Sequence, residues 1–176
     1  QSPRRFTAKR LDMANLSDLI DIFLQPGEYF VGDANYKIRT VLGSCVAITL
    51  WYPPLCIGAM SHFLLPTHGL IDTAVRPLDA RYGDEALTLM LAELAQAGVQ
   101  PSQCQGKIFG GGNMFPKHSR SSTMHIGRRN GEAARALLQA HGIPIVSESL
   151  FGIGHRQIIF DISAGDVWSH QVRPTA

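Results

Sequence analysis

The sequence predicts one domain of mixed α/β class, an α+β arrangement in which strands dominate and two helices interrupt them. Three observations carry this. Apolar, β-branched runs recur between glycine and proline breaks; two later segments space their apolar residues at the helical period; and helices separate some strands while others follow directly, so no regular βαβ alternation is set up. A chain of 176 residues with 45% hydrophobic and 17% charged residues has the length and composition of a folded globule with a buried core.

Taken in order, residues 1–25 read as an N-terminal extension, partly flexible, ahead of a single domain over 26–176. Its first fifteen residues show no sustained period, and Arg4, Arg5, Lys9 and Arg10 cluster there as a solvated, mobile arm. Leu16 to Leu24 fits a short helical turn or an extended approach, and Pro26-Gly27 then punctuates the chain. Strands are expected from Glu28 to Val31 and from Arg39 to Trp51, the second rich in Val41, Val46, Ile48, Thr49, Leu50 and Trp51. Gly43-Ser44 interrupts this run just before Cys45, where a strand can bend and expose a side chain. Beyond Pro53-Pro54, Cys56 to Leu65 forms the next strand, and hairpin-like pairing of the two would bring Cys45 and His62 together.

The apolar residues Leu87, Met90, Leu91, Leu94 and Ala97 predict a helix from Tyr82 to Ala97, stopped by Gly98. A second helix is expected from Gly131 to Ala140, with Asn130 as N-cap and its end near Gly142. Further strands are expected from Lys107 to Phe109, Ile143 to Ser147 and Arg156 to Ile162, with a short one at Val167-Trp168.

Charge and composition exclude several classes. A net charge of +2, from 16 Lys+Arg against 14 Asp+Glu, gives no overall positive excess for neutralising nucleic-acid phosphates. No apolar run reaches the length of a membrane span, and no signal-peptide pattern opens the sequence, so a cytoplasmic protein without membrane insertion is expected. Cys45, Cys56 and Cys104 are an odd set without a CxxC pair, which predicts free thiols rather than a disulfide framework or zinc site. His118 and His125 lack acidic or cysteine neighbours at ligand spacing, and no cofactor motif is present: Gly110-Gly111-Gly112-Asn113 matches neither phosphate-loop pattern and reads as a tight turn. His155-Arg156 fits either an anion contact or a solvated loop.

The chemistry-bearing candidates are Cys45 and His62. A thiol attacks a carboxamide as thiolate, and an unperturbed cysteine is mostly protonated at neutral pH, so an adjacent imidazole is the natural activator. His62 could take the thiol proton and return it to a departing amine. Small residues before Cys45 leave room for the backbone N–H groups of Ser44 and Cys45 to face a developing oxyanion. Taken singly, a strand cysteine is more often a small buried hydrophobe and a histidine more often a satisfied core or surface residue. Neither residue alone carries the reading.

Several segments in order resemble the CheD family. They are Pro26-Gly27-Glu28-Tyr29-Phe30-Val31, Thr40-Val41-Leu42-Gly43-Ser44-Cys45-Val46-Ala47 and Gly58-Ala59-Met60-Ser61-His62-Phe63-Leu64-Leu65-Pro66. Tyr82, Lys107 to Phe115, Ile126 to Asn130 and Gly154-His155-Arg156 continue the match. The LGSC element followed by SHxxLP is its most specific part, whereas Phe151-Gly152-Ile153-Gly154 departs from the paired glycines usual there. The resemblance implies a layered sandwich of mixed β-sheet flanked by helices, like that of cysteine-dependent deamidase toxins. It implies Cys45 as nucleophile, His62 as its partner and Thr40 as the residue that helps position the histidine. The implied activity is that of a protein-glutamine glutaminase that converts glutamines on the cytoplasmic helical region of methyl-accepting chemotaxis receptors to glutamate. Glutamyl methylesterase activity and a CheC-type phosphatase partner belong to some members. Two other readings are consistent with the residues: a non-enzymatic adaptor for receptors or a CheC-type phosphatase, and a redox-sensing thiol protein.

Overall fold

A computed structural model describes residues 4–5, 13–69, 76–116 and 122–174. Lys9, Arg10 and His118 lie outside the described residues. Among the described residues, ten strands and two α-helices follow one another as β1 (Arg4–Arg5), β2 (Ile20–Phe23), β3 (Tyr29–Gly32), β4 (Tyr36–Leu42), β5 (Val46–Tyr52), β6 (Ile57–Ser61), α1 (Gly83–Gln96), β7 (Gln105–Gly110), α2 (Ser122–Ala140), β8 (Ile145–Leu150), β9 (His155–Asp161) and β10 (Asp166–Val172).

The strands form two five-stranded sheets, ordered β1-β10-β9-β4-β2 and β3-β6-β5-β7-β8. Both are mixed, since β2 pairs parallel with β4 and β7 with β8 while the other pairs are antiparallel. The helices pack on the second sheet, α1 against β3 and β6 and α2 against β5, β7 and β8. The result is sheet, sheet and helices in three layers, a mixed α+β sandwich as expected.

Two hydrophobic cores hold these layers. Ile38, Leu42, Ala47, Met60, Phe109, Ile158 and Phe160 fill the space between the sheets. Val46, Ile48, Leu50, Phe63, Leu87, Met90, Leu94, Ala134 and Leu138 fill the space between the second sheet and the helices. Alternation explains the division: along β5, Val46, Ile48 and Leu50 point to the helices and Ala47 to the other sheet, so both faces are buried and Val46 to Leu50 is apolar but for Thr49.

Two expectations are corrected. The run from Arg39 to Trp51 is two strands in different sheets: β4 ends at Leu42, the chain crosses between layers at Gly43-Ser44-Cys45, and β5 begins at Val46. Asn130 is no N-cap. The helix starts at Ser122 and carries Asn130 fully buried in its middle. The Gly-Arg-Arg-Asn-Gly run is where the helix comes close to the rest of the chain; a Cβ at Gly127 would stand 2.6 Å from the Gly111 carbonyl oxygen. Upstream of Pro26, Leu16 to Leu24 takes both forms expected of it: the 3-10 turn at Met13–Asp18 leads into β2, beside β4, and Leu24 is buried. Arg4–Arg5 likewise pairs with β10.

Candidate active site

The sheet crossover and the hairpin-like pair meet at one end of the sandwich. Val46 and Phe63 exchange both backbone hydrogen bonds, at 3.2 and 3.0 Å, just beyond the end of the β5–β6 ladder. In an antiparallel pair the residues before each of these point to the opposite face, so Cys45 and His62 both turn from the helix-side core toward the other sheet, as diagonal neighbours. Cys45 accordingly packs against the inter-sheet core. The backbone of His62 is pinned by the Gly27-Glu28 turn that leads into β3, its carbonyl accepting from Gly27 N at 2.8 Å and its N–H donating to the Glu28 carbonyl at 3.1 Å.

Thr40 reaches this pair from the other sheet. Alternation along β4 buries Ile38, Thr40 and Leu42 and turns Arg39 and Val41 outward. Thr40 Oγ1 lies 2.7 Å from His62 Nδ1 and 2.9 Å from the Leu24 carbonyl. A hydroxyl has one proton to give, and the Leu24 carbonyl can only accept it; the Nδ1–H of His62 therefore donates to Oγ1. That bond fixes the tautomer and leaves Nε2 bare as the basic nitrogen. The seating of β2 beside β4 thus has a consequence in the site, because it brings the Leu24 carbonyl that orients the Thr40 hydroxyl.

Burial sets the charge state. His62 is 2% exposed, and desolvation pushes its pKa down to about 4. Desolvation also raises the Cys45 thiol, partly countered by its own backbone N–H. The resting pair is a neutral thiol and a neutral imidazole. Cys104 is buried deeper in apolar surroundings and pushed up to about 11, which makes it inert, and Cys56 closes the 3-10 turn at Pro53–Leu55 in a left-handed conformation.

The crossover turn is held by its three carbonyls. Gly43 O accepts from Gly112 N at 2.8 Å, Cys45 O from Gly111 N at 2.9 Å, and Ser44 O from Asn130 Nδ2 at 3.0 Å. The glycine run after β7 is therefore a cradle for the Cys45 turn and not a phosphate loop. Gly110 shows why no side chain fits, since its φ is +114° and a Cβ there would stand 2.2 Å from Cys45 O. Among the described residues, the N–H groups of Ser44 and Cys45 donate to no backbone carbonyl.

Arg156 is 2% exposed and spends its guanidinium on the protein itself. It donates to Gly110 O, to Ser149 Oγ at 3.3 Å and to Phe151 O. Burial brings its pKa down to about 10. Of the two readings open for His155-Arg156, the solvated loop is corrected: Arg156 is a buried brace under the glycine run, and His155 sits in the β9–β10 ladder opposite Val172. His125 is exposed on α2. Arg156 and Asn130 escaped the sequence reading because only burial distinguishes them from surface polar residues.

A cysteine on the same face as a bare imidazole nitrogen, with peptide N–H groups at the cysteine that donate to no backbone carbonyl, is an arrangement suited to acyl transfer through a thioester. Such an arrangement is suited to the chemistry of a cysteine-dependent hydrolase. A family model described as "CheD chemotactic sensory transduction" matches residues 64–171. A relative from Albidiferax ferrireducens, named probable chemoreceptor glutamine deamidase CheD 2, is 70% identical over 88% of this chain and 89% of its own. Relatives from Dechloromonas aromatica and Pseudomonas savastanoi pv. phaseolicola, also named probable chemoreceptor glutamine deamidases, are each 43% identical, over 86% and 84% of this chain and 88% and 82% of their own. The chain belongs to the CheD family. Matches of that extent take in Thr40, Cys45 and His62, which lie upstream of the span matched by the family model.

Proposed function

We propose that Cys45 and His62, oriented by Thr40, hydrolyse glutamine side-chain amides of chemoreceptors to glutamate, with release of ammonia. The chain is a protein-glutamine deamidase of chemotaxis. The observation that carries the site assignment is the Leu24–Thr40–His62 relay, which leaves Nε2 bare on the face where Cys45 lies. A relic adaptor site would have no need of a buried histidine held in one tautomer.

The mechanism follows from the neutral resting pair. As Sγ attacks the amide carbon, its proton passes to His62 Nε2, and the negative charge on the former carbonyl oxygen is met by the N–H groups of Ser44 and Cys45. The imidazolium then protonates the amide nitrogen, the C–N bond breaks, and ammonia leaves a Cys45 thioester. His62 next takes a proton from water; the hydroxide adds to the thioester, and Sγ departs with the proton that His62 returns. A glutamyl methyl ester passes through the same thioester with methanol as leaving group, which supports a methylesterase side activity.

The substrate region proposed is the cytoplasmic helical part of the receptors, the protein acting in the cytoplasm. No described helix is long and apolar enough to cross a membrane. Exposed Phe23, Leu65 and Phe115 stand on the segments leading into the site, which supports docking against a protein helix and not capture of a free amino acid. A CheC-type phosphatase is a second partner in this reading. The test is mass spectrometry of a receptor cytoplasmic fragment incubated with wild type, Cys45→Ala or His62→Ala, following the gain of about one dalton per amide hydrolysed. Modification by wild type alone supports the assignment; modification by Cys45→Ala, or none by wild type while binding persists, overturns it.

A further inference from the structure

We infer that Asn130 is a positioning residue that aims the Cys45 N–H at the oxyanion and ties the nucleophile turn to the His62 strand. The inference rests on the cysteine-hydrolase reading above and extends it to a residue on α2, far along the chain from the catalytic pair.

Asn130 is fully buried, and its Nδ2 gives one proton to Ser44 O at 3.0 Å and the other to Leu64 O at 2.8 Å. Both partners can only accept, so the amide is fixed with its nitrogen toward them. Its Oδ1 is buried without a partner. The side chain is therefore seated for its two donors alone, and it accepts an unmade hydrogen bond to keep them in place.

Where those donors go matters. Ser44 O lies in the nucleophile turn, and Leu64 follows His62 by two residues, beyond the Val46–Phe63 bridge where the ladder has ended. One amide thus replaces the missing ladder bond between the two strands that carry Cys45 and His62. There is a second effect. The peptide bonds are trans, and in a trans peptide the N–H points opposite to the preceding C=O. Holding Ser44 O toward α2 turns the Cys45 N–H away from the helix, toward the side on which its own thiol lies. Gly112 N acts in the same way on Gly43 O, and so on the N–H of Ser44. The two proposed oxyanion donors are each aimed by a bond on the far side of their own peptide.

The experiment compares wild type, Cys45→Ala and Asn130→Leu, which keeps the volume and removes both donors. Ammonia release from a chemoreceptor cytoplasmic fragment gives kcat and KM. Alkylation of Cys45 by iodoacetamide is measured in parallel, since it needs the thiolate but forms no oxyanion. For Asn130→Leu, kcat should fall about 10²-fold or more while KM and the alkylation rate stay within about threefold of wild type. A kcat within about threefold of wild type, or alkylation that falls in step with kcat, overturns the inference and leaves Asn130 a packing residue. Should Asn130→Leu fail to fold, Asn130→Ser, smaller and with a single donor, is read by the same two rates. Wild type without ammonia release overturns the hydrolase reading and this inference together; active wild type with an equally active Asn130 variant overturns this inference alone.

Discussion

Thr40→Val tests the relay at its centre, because valine matches the shape of threonine and deletes only the hydroxyl. The loss strands two buried groups, the Leu24 carbonyl and the Nδ1–H of His62, that now share Oγ1 at 2.9 and 2.7 Å. An unmade buried hydrogen bond costs about 1–3 kcal/mol. The imidazole can escape its share by moving the proton to Nε2, which leaves Nδ1 against the valine methyl and removes the base. At about 1.4 kcal/mol per factor of ten, the competent tautomer falls about 5- to 150-fold in population, and kcat falls with it. The stranded Leu24 carbonyl lowers folding stability by about 1–3 kcal/mol besides. Ammonia release gives the rate, and the ¹⁵N shifts of His62 report which ring nitrogen is protonated. Thr40→Ser restores the hydroxyl and should recover most of the rate. If Thr40→Val keeps kcat within about twofold, or if serine does no better than valine, the hydroxyl is not what holds the base and the argument fails.

Three further outcomes are expected. Folded His62 resists protonation until about pH 4, whereas the unfolded side chain takes its proton near 6.5, so the unfolded state binds more protons between these values and stability declines as pH falls from 6.5 through 4. The loss is about 3 kcal/mol at most, visible as a falling urea midpoint; His62→Gln should flatten that slope, and an unchanged slope would count against a neutral buried histidine. Gly110→Ala forces a Cβ to within 2.2 Å of Cys45 O at a φ of +114°, and should destabilise the fold by about 1–3 kcal/mol and depress kcat, measured by thermal unfolding and ammonia release. Arg156→Lys replaces a fork that reaches Gly110 O, Ser149 Oγ and Phe151 O by a single ammonium, and should cost about 2 kcal/mol in denaturant unfolding despite keeping the charge.

The sequence by itself determined the class of the fold, the positions of α1 and most of the strands, and the pairing of the segments that carry Cys45 and His62. It could do so because these rest on local pattern: apolar spacing marks α1, β-branched runs broken by glycine and proline mark the strands, and a turn between two consecutive strands makes their pairing cheap. Thr40 was legible only through the resemblance of its segment to a family, since a threonine in a strand carries no chemical signal of its own.

What the tertiary structure decided is which distant groups meet. Periodicity cannot show that β4 and β5 belong to different sheets, because both read as one apolar run and differ only in what lies across from them. It cannot show that Leu24, in a stretch without strong pattern, supplies the carbonyl that sets the tautomer of His62, 38 residues further on. Asn130 and Arg156 are the clearest cases. As letters they are polar residues beside turns and charges, and their roles come from burial among backbone carbonyls that only packing of α2 and β9 against the nucleophile turn brings within hydrogen-bond reach. Cys45 and His62 are local in the sequence; the bonds that hold their segments in place are long-range, and long-range geometry is fixed by how the layers pack.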